Sequence, residues 1–344
     1  MSLAAVPEFA EPQAGDTSRA LRSRARFTCL RGSRRVRIVP RYGRGAIDAN
    51  VRYLWAGVPG APTVIVQGGI SADRDACSTG EHPAPGWWEA LVGVDRAIDL
   101  GRLRVLAIDW LDAEGLGAPS ISTADQADAL AALLDALGLV RVEAFVGASY
   151  GAMVGLAFAA RHAARLSRLV LLAGAHRPHP LATAQRAVQR GIVKLGLDNG
   201  CVAEALSLAR QLALTTYRSG EEIGRRFAGG VECRDGEFRL PVQDWLEHHG
   251  RRFGAHFGAQ RYLALSESID LHDVDPESVH TPTALIGFAS DRLVPLADLC
   301  ELQQRLGAPA SLEVIETPYG HDGFLKEHER LAPLLREALN DCGA

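Results

Sequence analysis

Ser149 sits in the run Val142-Glu143-Ala144-Phe145-Val146-Gly147-Ala148-Ser149-Tyr150-Gly151-Ala152-Met153. Glycines at minus two and plus two, a strand-like segment before and an apolar helix-like segment after are the marks of a nucleophile elbow. The chemistry on offer is acyl transfer, in which the hydroxyl attacks a carbonyl and carries the acyl group. That requires a base, an acid to orient the base and two N–H groups for the oxyanion. In chain order the acid should come next and the histidine last. Asp291 follows the strand-like Thr283–Phe288, and His321 follows Leu312–Ile315. Asp298 competes for the role of acid but falls inside the next helical segment. The amide of Tyr150 is one expected oxyanion donor. The other is expected from the loop Gln67-Gly68-Gly69-Ile70, at Gly69 or its neighbour Gly68.

These residues must be carried by an alternating framework. Arg35–Val39, Val51–Trp55, Thr63–Gln67, Arg104–Asp109, Val142–Val146 and Leu169–Leu172 read as strands. Gly86-Trp87-Trp88 reads as the entry to a short helix. Ser122 is a helix cap, with the helix running to Leu137 before Gly138. The elbow helix is expected to reach about Ala164. Strand alternating with helix predicts a parallel sheet covered on both faces. From about 175 to 270 the pattern is helical, with candidates at Ala182–Leu195, Val202–Leu214 and Pro241–Arg252. Strand and helix then resume, ending in a helix over Phe324–Leu339. Strand–helix units, a large helical insertion, then further strand–helix units predict an α/β-hydrolase fold. The predicted division is an N-terminal arm over 1–33, a core over 34–174 and 271–344, and a helical lid over 175–270.

Composition narrows the function. The chain has 344 residues, 47% hydrophobic and 23% charged, with a net charge of −4, so no strong pull toward nucleic acid or anionic membrane is expected. No apolar run approaches the ~20 residues that span a bilayer. Six scattered cysteines without a C-x-x-C pair point to thiols in a reducing cytoplasm.

Further motifs bear on the acceptor. Ala209-Arg210…Thr216-Tyr217-Arg218-Ser219, Gly86-Trp87-Trp88, Leu265-Ser266-Glu267-Ser268-Ile269-Asp270 and Gly320-His321-Asp322-Gly323-Phe324-Leu325 resemble signatures of the homoserine O-acyltransferase family. The resemblance covers roughly residues 50–340. It implies transfer of an acetyl or succinyl group from acyl-CoA to the hydroxyl of L-homoserine, on the way to methionine, by a ping-pong mechanism. It also implies a cytoplasmic homodimer joined through lid helices, without a metal or a permanently bound cofactor. Arg210 is implied to bind the α-carboxylate and Asp322 the α-ammonium group. Two stretches depart from the family pattern. The elbow has Tyr150 and Ala152 where the family has Met and Gly, and the first oxyanion loop is Gln-Gly-Gly-Ile-Ser. The residues leave acetyl against succinyl, and homoserine against serine, open. An esterase using water, or a binding protein on a retired hydrolase fold, would share the framework.

Overall fold

Runs of aliphatic residues long enough for five residues of strand, and too apolar for a surface, end up in the middle of one sheet. β1 (Thr28–Ile38) and β2 (Ile47–Gly57) form an antiparallel hairpin at one edge, and β3 (Thr63–Gln67) and β4 (Arg104–Ile108) lie deeper. All ten residues of β3 and β4 are buried, as strands covered on both faces must be. β5 (Val142–Ala148), β6 (Leu166–Leu172), β7 (Thr283–Phe288) and β8 (Ala310–Ile315) complete the order β1-β2-β4-β3-β5-β6-β7-β8. From β4 onward every pairing is parallel. This computed structural model describes residues 28–340 except Glu81 and 113–119. Residues 1–27 of the predicted arm, residues 113–119 and Cys342 lie outside the described residues.

Helices cover both faces. α1 (Thr123–Ala136) starts at Ser122, whose hydroxyl and Asp125 form a reciprocal capping box. α2 (Tyr150–Arg161) leaves the elbow almost wholly buried. Between β6 and β7 the chain makes a helical excursion of α3 (Pro180–Asn199), α4 (Val202–Tyr217), α5 (Gly220–Arg226), α6 (Pro241–Gly254) and α7 (Ala259–Asp270). It then returns to pair Ile286 of β7 with Leu172 of β6. α8 (Leu296–Arg305), α9 (Gly323–Lys326) and α10 (His328–Leu339) follow.

Some expectations change. No helix follows Gly86. Instead Trp87 and Trp88 stack at 5.2 Å in a turn, and the Glu89 carboxylate accepts from the Ser78 and Gly86 amides, so a helix-forming residue serves as a loop anchor. The first strand begins at Thr28 rather than Arg35. Its first half is at most partly buried, with Leu30 exposed, so no apolar–polar alternation marks it. α2 stops at Arg161, and the expected final helix breaks at Glu327. The helical excursion also holds an exposed hairpin, Glu232–Arg234 with Glu237–Arg239, turning at Asp235-Gly236 with positive φ at both. That dipeptide is a standard hairpin signal, unread against so helical a background.

Candidate active site

The elbow is strained by its own connectivity. Ser149 has φ 55° and ψ −117°, outside the comfortable regions for a residue with a side chain. The turn closes so tightly that a Cβ on Gly147 would strike the Gly151 carbonyl, and one on Gly151 would strike the Gln67 carbonyl. The strain is held by hydrogen bonds from Ser149 N to Leu172 O (2.8 Å) and from Gly151 N to Gly68 O (2.9 Å). The serine hydroxyl does not cap α2, which leaves it for another partner.

That partner is His321. Ser149 Oγ lies 2.8 Å from His321 Nε2, and His321 Nδ1 lies 2.7 Å from Asp291 Oδ2. Asp291 is fixed by the turn that follows β7. Its Oδ1 accepts from the Leu293 (2.8 Å) and Val294 (3.1 Å) amides, which leaves Oδ2 for the imidazole. His321 stands in a single 3₁₀ turn, Gly320–Asp322, after β8. All three residues therefore stand at the C-terminal edge of the parallel strands. Burial alone would lower the proton affinity of His321. The charge of Asp291 and its hydrogen bond outweigh burial, and the net shift is upward from 6.5. Asp298 makes no hydrogen bond or ion pair to His321.

Around the hydroxyl, two backbone segments approach. Tyr150 is fully buried, its hydroxyl 2.7 Å from Ser268 Oγ on α7 and its ring edge-on to Trp110 at 4.8 Å. The Gly69 carbonyl accepts from Trp110 Nε1 (2.9 Å) and from the Ala72 amide (3.0 Å). No peptide among the described residues is cis, so the amide of Ile70 points opposite to that carbonyl. By the same rule the Gly69 amide points away from Gly151, toward which the Gly68 carbonyl is turned. Gly69 and Ile70 both line the cavity at Ser149.

That cavity, about 110 Å³, lies between the sheet edge and α3, α4 and α7. Arg210 lines it, packed over Tyr217 (5.3 Å) and Phe253 (5.1 Å), with no carboxylate partner among the described residues. Asp322 lines it too, with Arg218 Nε 2.9 Å from its Oδ2, an ion-pair contact rather than an aligned hydrogen bond. Tyr217, which carried no expected role, lines the cavity too, its ring 6.1 Å from His321. Its signal is the aromatic residue one step before Arg218 at the end of α4. A wider cavity of about 610 Å³ abuts the first, sharing Arg210, Asp322 and Leu325. Among the described residues its walls carry four cations, Arg210, Arg218, Arg226 and Lys326, against two carboxylates, Glu89 and Asp322.

The remaining signatures are explained by packing. Trp88 donates from Nε1 to the Phe324 carbonyl (2.9 Å), tying the early loop to the segment after His321. The Ser219 hydroxyl donates to the Pro318 carbonyl, docking the end of α4 on the histidine loop. On α7, Ser268 meets Tyr150 while Ser266 and Asp270 meet α3.

The profile of the alpha/beta hydrolase fold family matches residues 62–328, so by fold this is an α/β hydrolase. Among solved structures, a homoserine O-acetyltransferase from Bacillus anthracis superposes with a TM-score of 0.80 at 16% identity, covering 92% of this chain and 99% of that one. Esterase E22 superposes at 0.77 with 18% identity, covering 91% of this chain and all of that one. At those identities the likeness concerns the fold alone. Sequence goes further. A homoserine O-succinyltransferase of Xanthomonas campestris is 49% identical over 306 residues, 89% of this chain and 83% of its own. A homoserine O-acetyltransferase of Mycobacterium marinum is 34% identical over 296 residues, 75% of this chain and 78% of its own. The chain belongs to the homoserine O-acyltransferase family.

Proposed function

We propose that the protein transfers a short acyl group from coenzyme A to the hydroxyl of L-homoserine by a ping-pong mechanism. The observation that carries the reading is the unbroken Ser149–His321–Asp291 hydrogen-bond chain facing a cavity whose opposite wall holds Arg210 without a carboxylate partner among the described residues. A water acceptor requires no such cation, and an amino-acid carboxylate does.

His321 Nε2 takes the proton of Ser149 as Oγ bonds to the thioester carbon. The Tyr150 amide and an amide of the Gly69–Ile70 turn, which lines the cavity at Ser149, receive the oxyanion. The C–S bond breaks, and the sulfur leaves with the proton from His321 as free coenzyme A. Homoserine then enters. Arg210 takes its α-carboxylate, and Asp322, sharing its charge with Arg218, takes its α-ammonium group. His321 accepts the proton of the homoserine hydroxyl, whose oxygen attacks the acyl ester. Ser149 leaves with that proton, and O-acylhomoserine is released. The cationic wall of the wider cavity suits the phosphates of coenzyme A.

In this reading the protein works in the cytoplasm, supplies methionine synthesis and pairs with a second copy through the lid. Leu181, Val188 and Leu195 support the pairing. They recur every seven residues along one face of α3 and are 46%, 57% and 64% exposed. The test crosses acetyl- and succinyl-CoA with homoserine and serine and follows thiol release. Homoserine-dependent release is expected. Equal release without an acceptor would make the protein a thioesterase.

A further inference from the structure

Among the described residues, three guanidinium groups line the cavity at Ser149: those of Arg177, Arg186 and Arg210. They are not equivalent. Arg177 is more than half exposed at the rim and is bound by Glu301 at 2.8 Å. Arg210 serves the amino acid in the scheme above. Arg186 remains, on α3, with its side chain only 12% exposed.

Arg186 is held but not neutralised. Its Nε and Nη2 both donate to Asp270 Oδ1, at 2.8 and 2.6 Å, and the Thr183 hydroxyl donates to the same oxygen. The other oxygen of Asp270 is taken by Arg190 Nη1 at 2.6 Å, and that nitrogen also reaches Ser266. One buried carboxylate is thus shared by two guanidiniums, and the cluster carries an excess positive charge. Tying α3 to α7 needs only one arginine per carboxylate. A second, largely buried, is costly unless an anion completes the group. Arg190 does not line the cavity and Arg186 does, so the excess charge is presented to the reaction chamber. It is also felt at His321, where Arg186 opposes protonation. Among the described residues, two acids line the same cavity. Asp322 is engaged by Arg218, and Asp298 lies on α8 beyond the elbow's partner turn.

An acetyl group has nothing to offer this cation. A four-carbon dicarboxylic acyl group carries a carboxylate two methylenes from its thioester carbonyl. We propose that Arg186, supported by Arg190 and Asp270, reads a carboxylate at the far end of the acyl group, so that the donor is the monothioester of a short dicarboxylic acid, succinyl-CoA being the simplest. The proposal rests on the acyltransferase reading. It gives the cavity two anion-reading arginines with separate tasks: Arg210 for the acceptor and Arg186 for the donor.

The experiment compares kcat/KM for succinyl-CoA with that for butyryl-CoA, which has the same chain length and no charge, at saturating homoserine. Thiol release and O-acylhomoserine are both followed. The full chain is expected to prefer succinyl-CoA by about tenfold or more, and Arg186→Gln to lose roughly 10- to 100-fold of that ratio. The Arg210→Lys ratio should stay near that of the wild type. If Arg186→Gln does not fold, Arg190→Gln carries the same test, because it removes the cluster's excess charge from outside the cavity. A wild-type ratio near one, or a ratio unchanged by the variant, overturns the proposal while product formation upholds the acyltransferase reading. Absence of O-acylhomoserine with succinyl-, butyryl- and acetyl-CoA alike overturns that reading itself.

Discussion

Ser149, Asp291 and His321 each stand within a few residues of the end of β5, β7 or β8, whereas Arg186, Arg210 and Asp270 ride on α3, α4 and α7. The first set is positioned by backbone. Parallel strands fix where their C-terminal ends lie, and one turn after each end places one side chain. The second set is positioned by other side chains: Arg186 and Arg190 by a shared carboxylate, Arg210 by two aromatic rings. In the proposed mechanism the chemical step is thus built on the rigid sheet, and the discrimination between substrates on the inserted helices. Variants should separate the two regions.

The largest effect belongs to the sheet side. Ser149→Ala should abolish transfer, with a loss on the order of 10⁶ in kcat and an unchanged melting curve. Incubation of the wild type with acyl-CoA alone should add one acyl mass to the peptide containing Ser149. A label on a cysteine instead would remove the serine from the mechanism.

Next comes the acid. Asp291→Asn should cost about 10⁴ in kcat by favouring the wrong tautomer of His321. The pH profile provides a second readout. Acylation needs neutral His321, so it fails as pH falls through a value raised above the ordinary 6.5. Without the Asp291 charge, burial dominates and the inflection should move down. A larger loss in Asp298→Asn would reassign the acid.

On the helical side, effects should be smaller and confined to one half-reaction. Arg210→Lys keeps the charge and loses the planar fork, and Asp322→Asn loses the charge. Each should slow the homoserine-dependent step by about tenfold to a hundredfold and leave the thiol burst without acceptor nearly intact. A burst reduced as much as turnover would move these residues to the donor's side and erase the contrast between the regions. The smallest change in turnover is expected of Val188→Glu, which puts a charge in the exposed stripe of α3. Sedimentation is expected to report a dimer for the wild type and a monomer for the variant. A dimer unaffected by the charge would place the contact elsewhere.

The same contrast explains what the sequence disclosed. Thr63–Gln67 and Thr283–Phe288 are strands over the predicted residues because short, buried, aliphatic runs have few alternatives. Ser149, Asp291 and His321 could be read because each answers to a local pattern. Asp270 could not, since nothing near it indicates which of 37 lysines and arginines will reach it across two helices. Trp87 and Trp88 misled because their packing against each other and the Phe324 carbonyl overrides local preference. The direction of the Gly69–Ile70 peptide depends on Trp110, some 40 residues further on.

The helical excursion lies between the nucleophile and its activators along the chain, and synthesis proceeds in that order. Ser149 and His321 are 172 residues apart. At roughly 5–20 residues per second the ribosome needs about 10–30 s to pass from one to the other. During that time the serine has an elbow but no base, and β6 has no β7 to pair with. By the time His321 is made, α3 to α7 have already been made. In the proposed mechanism reactivity therefore arrives after its cover, and an unfinished chain has no means of spending thioester on water.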